Sequence, residues 1–257
     1  MPRQHGAWAM LVVPCAIGAA LAWQDGQLPS YIAPMFATWV VGYFAFNAAS
    51  GFLKSPRSRR GSWLAALGLY SAGALAAGLL TLWEAGPAPA WWLAGFAPPL
   101  AVALVLAARR DERNLVGGLL TVLLASAMLL VIRFPDPTVM LADPAFPAAA
   151  VLGCLVFGYF GGTVFHVKAM IRRRHELAWR NLSVAWHALW TLLAAAGVIT
   201  GYVGRWWPLF FLVTTIRSWL LPVIAERRPV RPLVVGLVEV ALSVAHLLVA
   251  VAEEPIR

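Results

Sequence analysis

Charge is what this sequence has least of. Only 12% of its 257 residues are Asp, Glu, Lys or Arg, about half of the roughly 25% typical of soluble domains. So few ionic groups cannot cover the surface of a water-soluble globule of this size, which argues against soluble enzymes, nucleic-acid modules and disordered tails. Acids are the scarcer sign, 11 against 20 basic residues. In the segments that read as inner loops, the acids are Asp111, Glu112, Glu176 and Glu226, each within two residues of an arginine. A dinuclear magnesium site built from carboxylates is hard to assemble from that set. Cysteine is almost missing too. Cys15 and Cys154 sit inside apolar runs and form no CxxC pair, so they read as small core residues rather than a disulfide framework or zinc site. The phosphate-binding P-loop, a GxGxxG following a strand, HExxH and GxSxG are likewise absent from the sequence, which removes the common signatures of nucleotide, metalloprotease and serine-hydrolase chemistry.

What the sequence does have is apolar length: 61% hydrophobic residues and a mean hydropathy of +0.76. A membrane-crossing helix needs about 20 mostly apolar residues. Nine stretches qualify, at 7–24, 31–53, 62–83, 91–108, 115–134, 147–171, 182–203, 206–226 and 233–252. Turn or charge signals separate them, among them Asp25-Gly26, Pro56, Gly86-Pro87, Pro135-Asp136-Pro137, Gly204 and Pro229. The fold class expected is therefore all-α, a polytopic bundle of about nine transmembrane helices forming one domain over 1–257. The first span reads as a retained helix, since it shows no clear small-residue cleavage site.

With the amino terminus placed inside, sixteen of the twenty cations fall on inner segments, as the positive-inside rule requires. The expected location is the bacterial cytoplasmic (inner) membrane, with the carboxyl terminus outside. The net charge of +9 is thus a topological bias and not a nucleic-acid footprint. Trp91, Trp92, Trp206 and Trp207 start helices on the outer side, where an interfacial aromatic belt is expected.

Two spans share a pattern. Gly42-Tyr43-Phe44 in the second aligns with Gly158-Tyr159-Phe160 in the sixth, which sets Asn47 opposite Thr163, Ser50 opposite His166 and Arg57 opposite Arg173. Four spans apart, the copies run in the same direction, so a parallel internal repeat is one reading and chance recurrence of glycine and aromatics the other. Tyr43, Asn47, Ser50 and Lys54 recur at helical spacing, and so do Tyr159, Gly162, His166, Met170 and Arg173. Polar stripes are costly in hydrocarbon unless they face a cavity or a partner. The expectation is one cytoplasm-facing cavity with Lys54, Arg57, Arg59, Arg60 and Arg172 to Arg174 at its mouth. The plain alternative is that inner loops are basic in any membrane protein.

Other ionisable residues lie within spans. Arg217 and Glu239 sit on the eighth and ninth, which a short turn joins, and a pair between them lowers the cost of each isolated charge. His246 is two turns beyond Glu239 on the same face. Such a pair serves helix packing or substrate equally well. His187 lies near the depth expected for His166; two facing histidines suit haem ligation or proton transfer to a quinone. The start of the first span, Gln4, His5 and Trp8, reads as a helix anchor at the interface, or as a site where His5 reaches the cavity mouth.

Two resemblances complete the sequence reading. The run Pro2-Arg3-Gln4-His5-Gly6-Ala7-Trp8-Ala9-Met10-Leu11 with Pro14, and the stretch Phe165-His166-Val167-Lys168-Ala169-Met170-Ile171-Arg172-Arg173-Arg174, resemble the YwiC-like family of bacterial membrane proteins. That resemblance implies membrane residence and no particular reaction. In topology the chain is also similar to UbiA-type intramembrane prenyltransferases, which have nine helices and active motifs at the inner ends of helices two and six. Asn47 stands where that family's first motif has Asn, but Ala48, Gly51 and Ser55 replace its Asp residues, and the second motif's acids are missing around Gly162 to Arg173. The carboxylates that would hold magnesium, and through it a diphosphate, are therefore lacking; arginines can grip phosphate directly instead. The leading expectation is a protein that binds an isoprenoid, quinone or anionic lipid, as a divergent transferase or a binder. A small-solute or lipid transporter is the second class, with Pro98-Pro99 and Pro222 as candidate helix breaks. A subunit or assembly factor of a respiratory complex is the third.

Overall fold

The computed structural model describes residues 5–26, 28–111, 114–174, 176–228 and 230–253, with the side chains of residues 5–7 and 172 left aside. Regular structure among the described residues is helical throughout. Nine long helices follow the apolar runs: α1 His5–Gln24, α2 Ile32–Lys54, α3 Gly61–Ala85, α4 Trp92–Ala108, α5 Leu115–Arg133, α6 Phe146–Val167, α7 Leu177–Ile199, α8 Trp206–Arg227 and α9 Pro232–Ala252. Eight are long and apolar enough to cross a membrane; in α1 the apolar part is the shorter Trp8–Gln24. Single helical turns at Arg57–Arg59, Ala88–Trp91 and Pro137–Met140 fill three of the connections. The ends obey local chemistry. Asn114 caps α5 by accepting from the Val116 N–H, Asp136 accepts from the Thr138 N–H and hydroxyl, and Pro232 opens α9 where no intrahelical donor is needed.

The chain divides into two compact units, one running from Gly18 to Asp143 and the other comprising Pro144 onward with the first part of α1, through Ile17. In the first unit α2 packs on α3 and on α4, and α4 on α5. Its most buried helix is α5, with Val122, Leu129 and Ile132 fully inaccessible. Gly18 of α1 sits close against this helix: a Cβ there would lie 3.0 Å from the Leu129 carbonyl oxygen. At one end of the unit the helix termini are tied by polar bonds. Tyr31 donates to the Ile132 carbonyl at 3.0 Å and the Trp92 indole to the Phe134 carbonyl at 2.9 Å. Arg133 pairs with Asp25 at 2.9 Å.

The second unit is a closed ring of four helices: α6 against α7, α7 against α8, α8 against α9, and α9 back against α6. Small residues let two of these walls come together, as is usual for helices that share no hydrophobic drive in lipid. Gly158 of α6 lies under the Trp190 indole of α7, which leaves no room for a Cβ there. The Trp186 indole N–H donates to the carbonyl of that same glycine at 2.8 Å. Glu253, just past α9, accepts from the Trp206 backbone N–H at 2.6 Å and so caps α8 with a carboxylate at its positive dipole end.

The paired Gly-Tyr-Phe triplets occupy different surroundings: no atom lies within 4 Å of a Cβ built on Gly42, whereas Gly158 is pressed against Trp190. The candidate breaks are also absent as breaks, since α4 continues through Pro98-Pro99 and α8 through Pro222.

The glycine contrast is testable. Gly158→Ala forces the Trp190 ring aside and should cost about 1–3 kcal/mol of stability. Gly42→Ala, with open space, should leave stability unchanged or slightly raised. Equal melting temperatures of the two variants in detergent would contradict this packing. A second expectation concerns Glu253. Burial pushes its carboxyl above the ordinary glutamate value, against the opposing pull of the Trp206 N–H and Arg205. A raised native value means that the stability linked to this group is full at acid pH and is lost as pH rises through that value. Glu253→Gln should flatten the pH dependence of melting just above the ordinary glutamate range; an unchanged profile would assign the slope to another group.

Candidate functional site

Inside the four-helix ring every wall contributes a buried polar side chain: Tyr159 and His166 from α6, Ser183 and His187 from α7, Arg217 from α8, and Glu239, Ser243 and His246 from α9. Arg217 lies ten residues, about 15 Å, from the arginine-rich end of α8, and Glu239 seven residues, about 10 Å, from the start of α9. Both are therefore well within a hydrocarbon core about 30 Å thick.

Arg217 Nη1 donates to Glu239 Oε1 at 2.6 Å, and the two side chains are 6% and 8% exposed. This answers the charge problem that two ionised groups in an apolar wall would otherwise pose, because the pair is neutral as a whole. The other guanidinium nitrogen, Nη2, is 3.4 Å from His187 Nε2. His187 Nδ1 is 2.7 Å from the Ser183 carbonyl oxygen. A carbonyl only accepts, so Nδ1 carries the proton and Nε2 is the acceptor that faces Arg217. His187 is held in place from a third side by Gly162, where a Cβ would collide with the imidazole. His166 Nε2 stands 3.9 Å from Glu239 Oε1, beyond hydrogen-bond range. Among the described residues neither of its ring nitrogens has a hydrogen-bond partner; Arg217 Nε, Glu239 Oε2 and Ser183 Oγ share that condition.

One turn along α9, Ser243 donates to the Glu239 carbonyl at 2.7 Å, and the Tyr159 hydroxyl donates to the same carbonyl at 3.1 Å. His246 comes next, fully buried, its ring stacked on Tyr159 at 4.8 Å and flanked by Phe160, Trp207 and Phe210. Both of its nitrogens are also without hydrogen-bond partners.

The remaining residues singled out from sequence lie elsewhere. In the first unit, Tyr43, Asn47 and Lys54 are half-buried on α2; the Asn47 amide donates to the Tyr43 carbonyl at 2.8 Å, which commits it to its own helix. Arg57 is exposed, and the Arg60 guanidinium lies over the Phe52 ring at 5.4 Å. The α-helical spacing linking Tyr159, His166 and Arg173 ends at Val167, because Lys168–Arg172 forms a π-turn. The wider turn shifts the register, and Arg173 emerges exposed, paired with Glu176 at 2.7 Å. Trp8 is 39% exposed; Gln4 lies outside the described residues, as does the His5 side chain. Among the described residues no group of three or more His, Cys, Asp and Glu is disposed to hold a metal ion. Ser183 and Ser243 were missed from sequence. Their signal was positional: Ser183 lies four residues before His187, and Ser243 four residues after Glu239.

Eight long apolar helices and a buried polar core within the membrane-crossing segments define a multi-pass helical membrane protein. The chain belongs to the YwiC-like family, whose model, described as YwiC-like protein, matches residues 1–133. It is similar to a protein of Bacillus subtilis (strain 168) described as "Uncharacterized protein YwiC", with 26% identity over 226 residues, covering 85% of this chain and 84% of that one. No solved structure matches it. The likeness to UbiA-type prenyltransferases rests on span count and Asn47 alone.

The pair should behave as one unit. Arg217→Met or Glu239→Met alone strands a buried charge and should cost about 3–5 kcal/mol, whereas the double variant should cost less than either. Additive losses across this cycle, read from unfolding in detergent, would show the two groups to be energetically independent.

Proposed function

We propose that the chain is a bacterial inner-membrane protein, amino terminus inside, whose four-helix ring binds the polar end of a membrane isoprenoid or quinone. The observation that carries this reading is the convergence of buried polar atoms without partners, Arg217 Nε, Glu239 Oε2 and both His166 nitrogens, from three different helices. Unsatisfied buried groups cost about 1–3 kcal/mol each, and a bound polar group relieves that cost. On the same α7 wall as His187, the paired Trp186 and Trp190 indoles, Trp190 packed on Gly158, offer flat apolar surface that suits a ring or an isoprene unit. The arginines at the ring's basic end attract anionic headgroups of the inner leaflet. Binding rather than prenyl transfer is the reading, since the sequence supplies no magnesium-holding carboxylates at Ala48, Gly51 and Ser55.

A second reading, proton-coupled transport, is favoured by one observation. Glu239, Ser243 and His246 form a buried polar row along α9 at helical spacing, as proton relays in membrane carriers do.

The test is gentle purification followed by lipid mass spectrometry. An isoprenoid or quinone species should be retained at near-stoichiometric amounts, lost in His166→Phe and kept in Arg173→Ala. Recovery of bulk phospholipid alone from the folded wild-type protein would overturn the reading.

A further inference from the structure

The chemistry of the unpartnered atoms says which kind of headgroup the ring accepts. Resting on the lipid-binding proposal, we infer that the ligand is a neutral lipid alcohol or phenol, whose hydroxyl donates to Glu239 and accepts from Arg217 or His166, and not a phosphate or diphosphate ester.

Charge and hydrogen-bonding capacity lead to this choice. Arg217 brings one positive charge and Glu239 one negative charge, joined by the 2.6 Å bond. His187 adds none: its Nδ1–H is committed to the Ser183 carbonyl and its Nε2 lone pair faces Arg217. The core is neutral before any ligand arrives, so no free positive charge remains there for an anion. A phosphate would instead meet Glu239 Oε2, a buried carboxylate oxygen without a donor, and the like charges would repel in a medium that screens them poorly.

The needs of the site are mixed. Glu239 Oε2 requires a donor; Arg217 Nε–H requires an acceptor. These two atoms flank the same Arg217–Glu239 bond. His166, with both ring nitrogens unpartnered and Nε2 3.9 Å from Glu239 Oε1, offers one donor and one acceptor in either neutral tautomer. A hydroxyl is the smallest group that donates and accepts at once. An oxidised quinone carbonyl accepts only and leaves Oε2 unsatisfied, and a phosphate monoester, largely dianionic near neutral pH, likewise accepts only.

The arginines outside the ring do not change this balance. Arg173 is paired with Glu176, and Arg180 with Glu226 at 2.8 Å. They can attract anionic headgroups at the membrane surface without altering the charge of the buried core.

The experiment compares three probes on the full-length protein in mild detergent: a polyprenol, the matching polyprenyl monophosphate, and a lipid quinol, with binding read by quenching of tryptophan fluorescence and by native mass spectrometry. The alcohol and the quinol should bind saturably, at least tenfold more tightly than the monophosphate. Glu239→Gln should weaken the alcohol at least fivefold while narrowing its advantage over the phosphate. Competition between alcohol and phosphate on the wild-type protein decides the point even if that variant fails to fold. Binding of the monophosphate as tight as, or tighter than, that of the alcohol would overturn this inference and leave the lipid-binding proposal standing. Saturable binding of none of the three by folded protein would overturn both.

Discussion

A guanidinium and a carboxylate, neither of which lipid could host alone, meet at 2.6 Å between α8 and α9. Much in the second unit arranges itself around that contact. An ion pair in hydrocarbon is costly unless its other donors and acceptors are met as well, and here that is done in part, Arg217 Nε and Glu239 Oε2 staying open. Three of the four helices supply groups toward that end: His187 from α7 for the guanidinium, His166 from α6 beside the carboxylate, and Ser243 of α9 with Tyr159 of α6 for the carbonyl behind Glu239. Closure of the ring between α9 and α6 encloses these polar groups away from lipid. The glycines of α6 that face Trp190 and His187 are what let α7 approach closely enough to complete the set.

How far the sequence foretold this differs from feature to feature. The helices were legible because apolar length and loop charge act locally: the span expected at 115–134 is found at Leu115–Arg133, and that expected at 233–252 at Pro232–Ala252. The Arg217–Glu239 contact was legible because an ionised group in an apolar run needs a counter-charge, and consecutive helices are the nearest source of one. Periodicity was less informative about His166 and His187. It assigns a residue to a face of its own helix but not to a neighbour, so the placement of both beside the ion pair emerged only with the ring. The same limit hid the cage of aromatics around His246, drawn from α6 and α8.

The expected likeness between spans two and six fared differently for a related reason. Identical triplets specify similar backbones, not similar neighbours. Tyr159 is fully buried and bonded to α9, while Tyr43 is half-buried, its ring 6.2 Å from that of Phe44. Asn47 satisfies its amide on its own helix, so resemblance at that position carries little chemistry by itself. The polar weight of the chain lies instead in residues that no short motif marks.

The π-turn at Lys168–Arg172 sets the phase of the chain beyond it. It takes up more residues than an α-turn would, and each helical residue is rotated about 100° from the one before it. Removing one residue there would rotate the chain beyond it by about 100° and turn Arg173 off its exposed bearing. The turn thus works as a phase shift written into the chain, keeping Arg173 and Arg174 on the water side of a helix whose preceding turns are largely apolar. A single-codon deletion in this stretch would be tolerated by composition and hydropathy alike, yet would disrupt the partition between the wet and dry ends of α6.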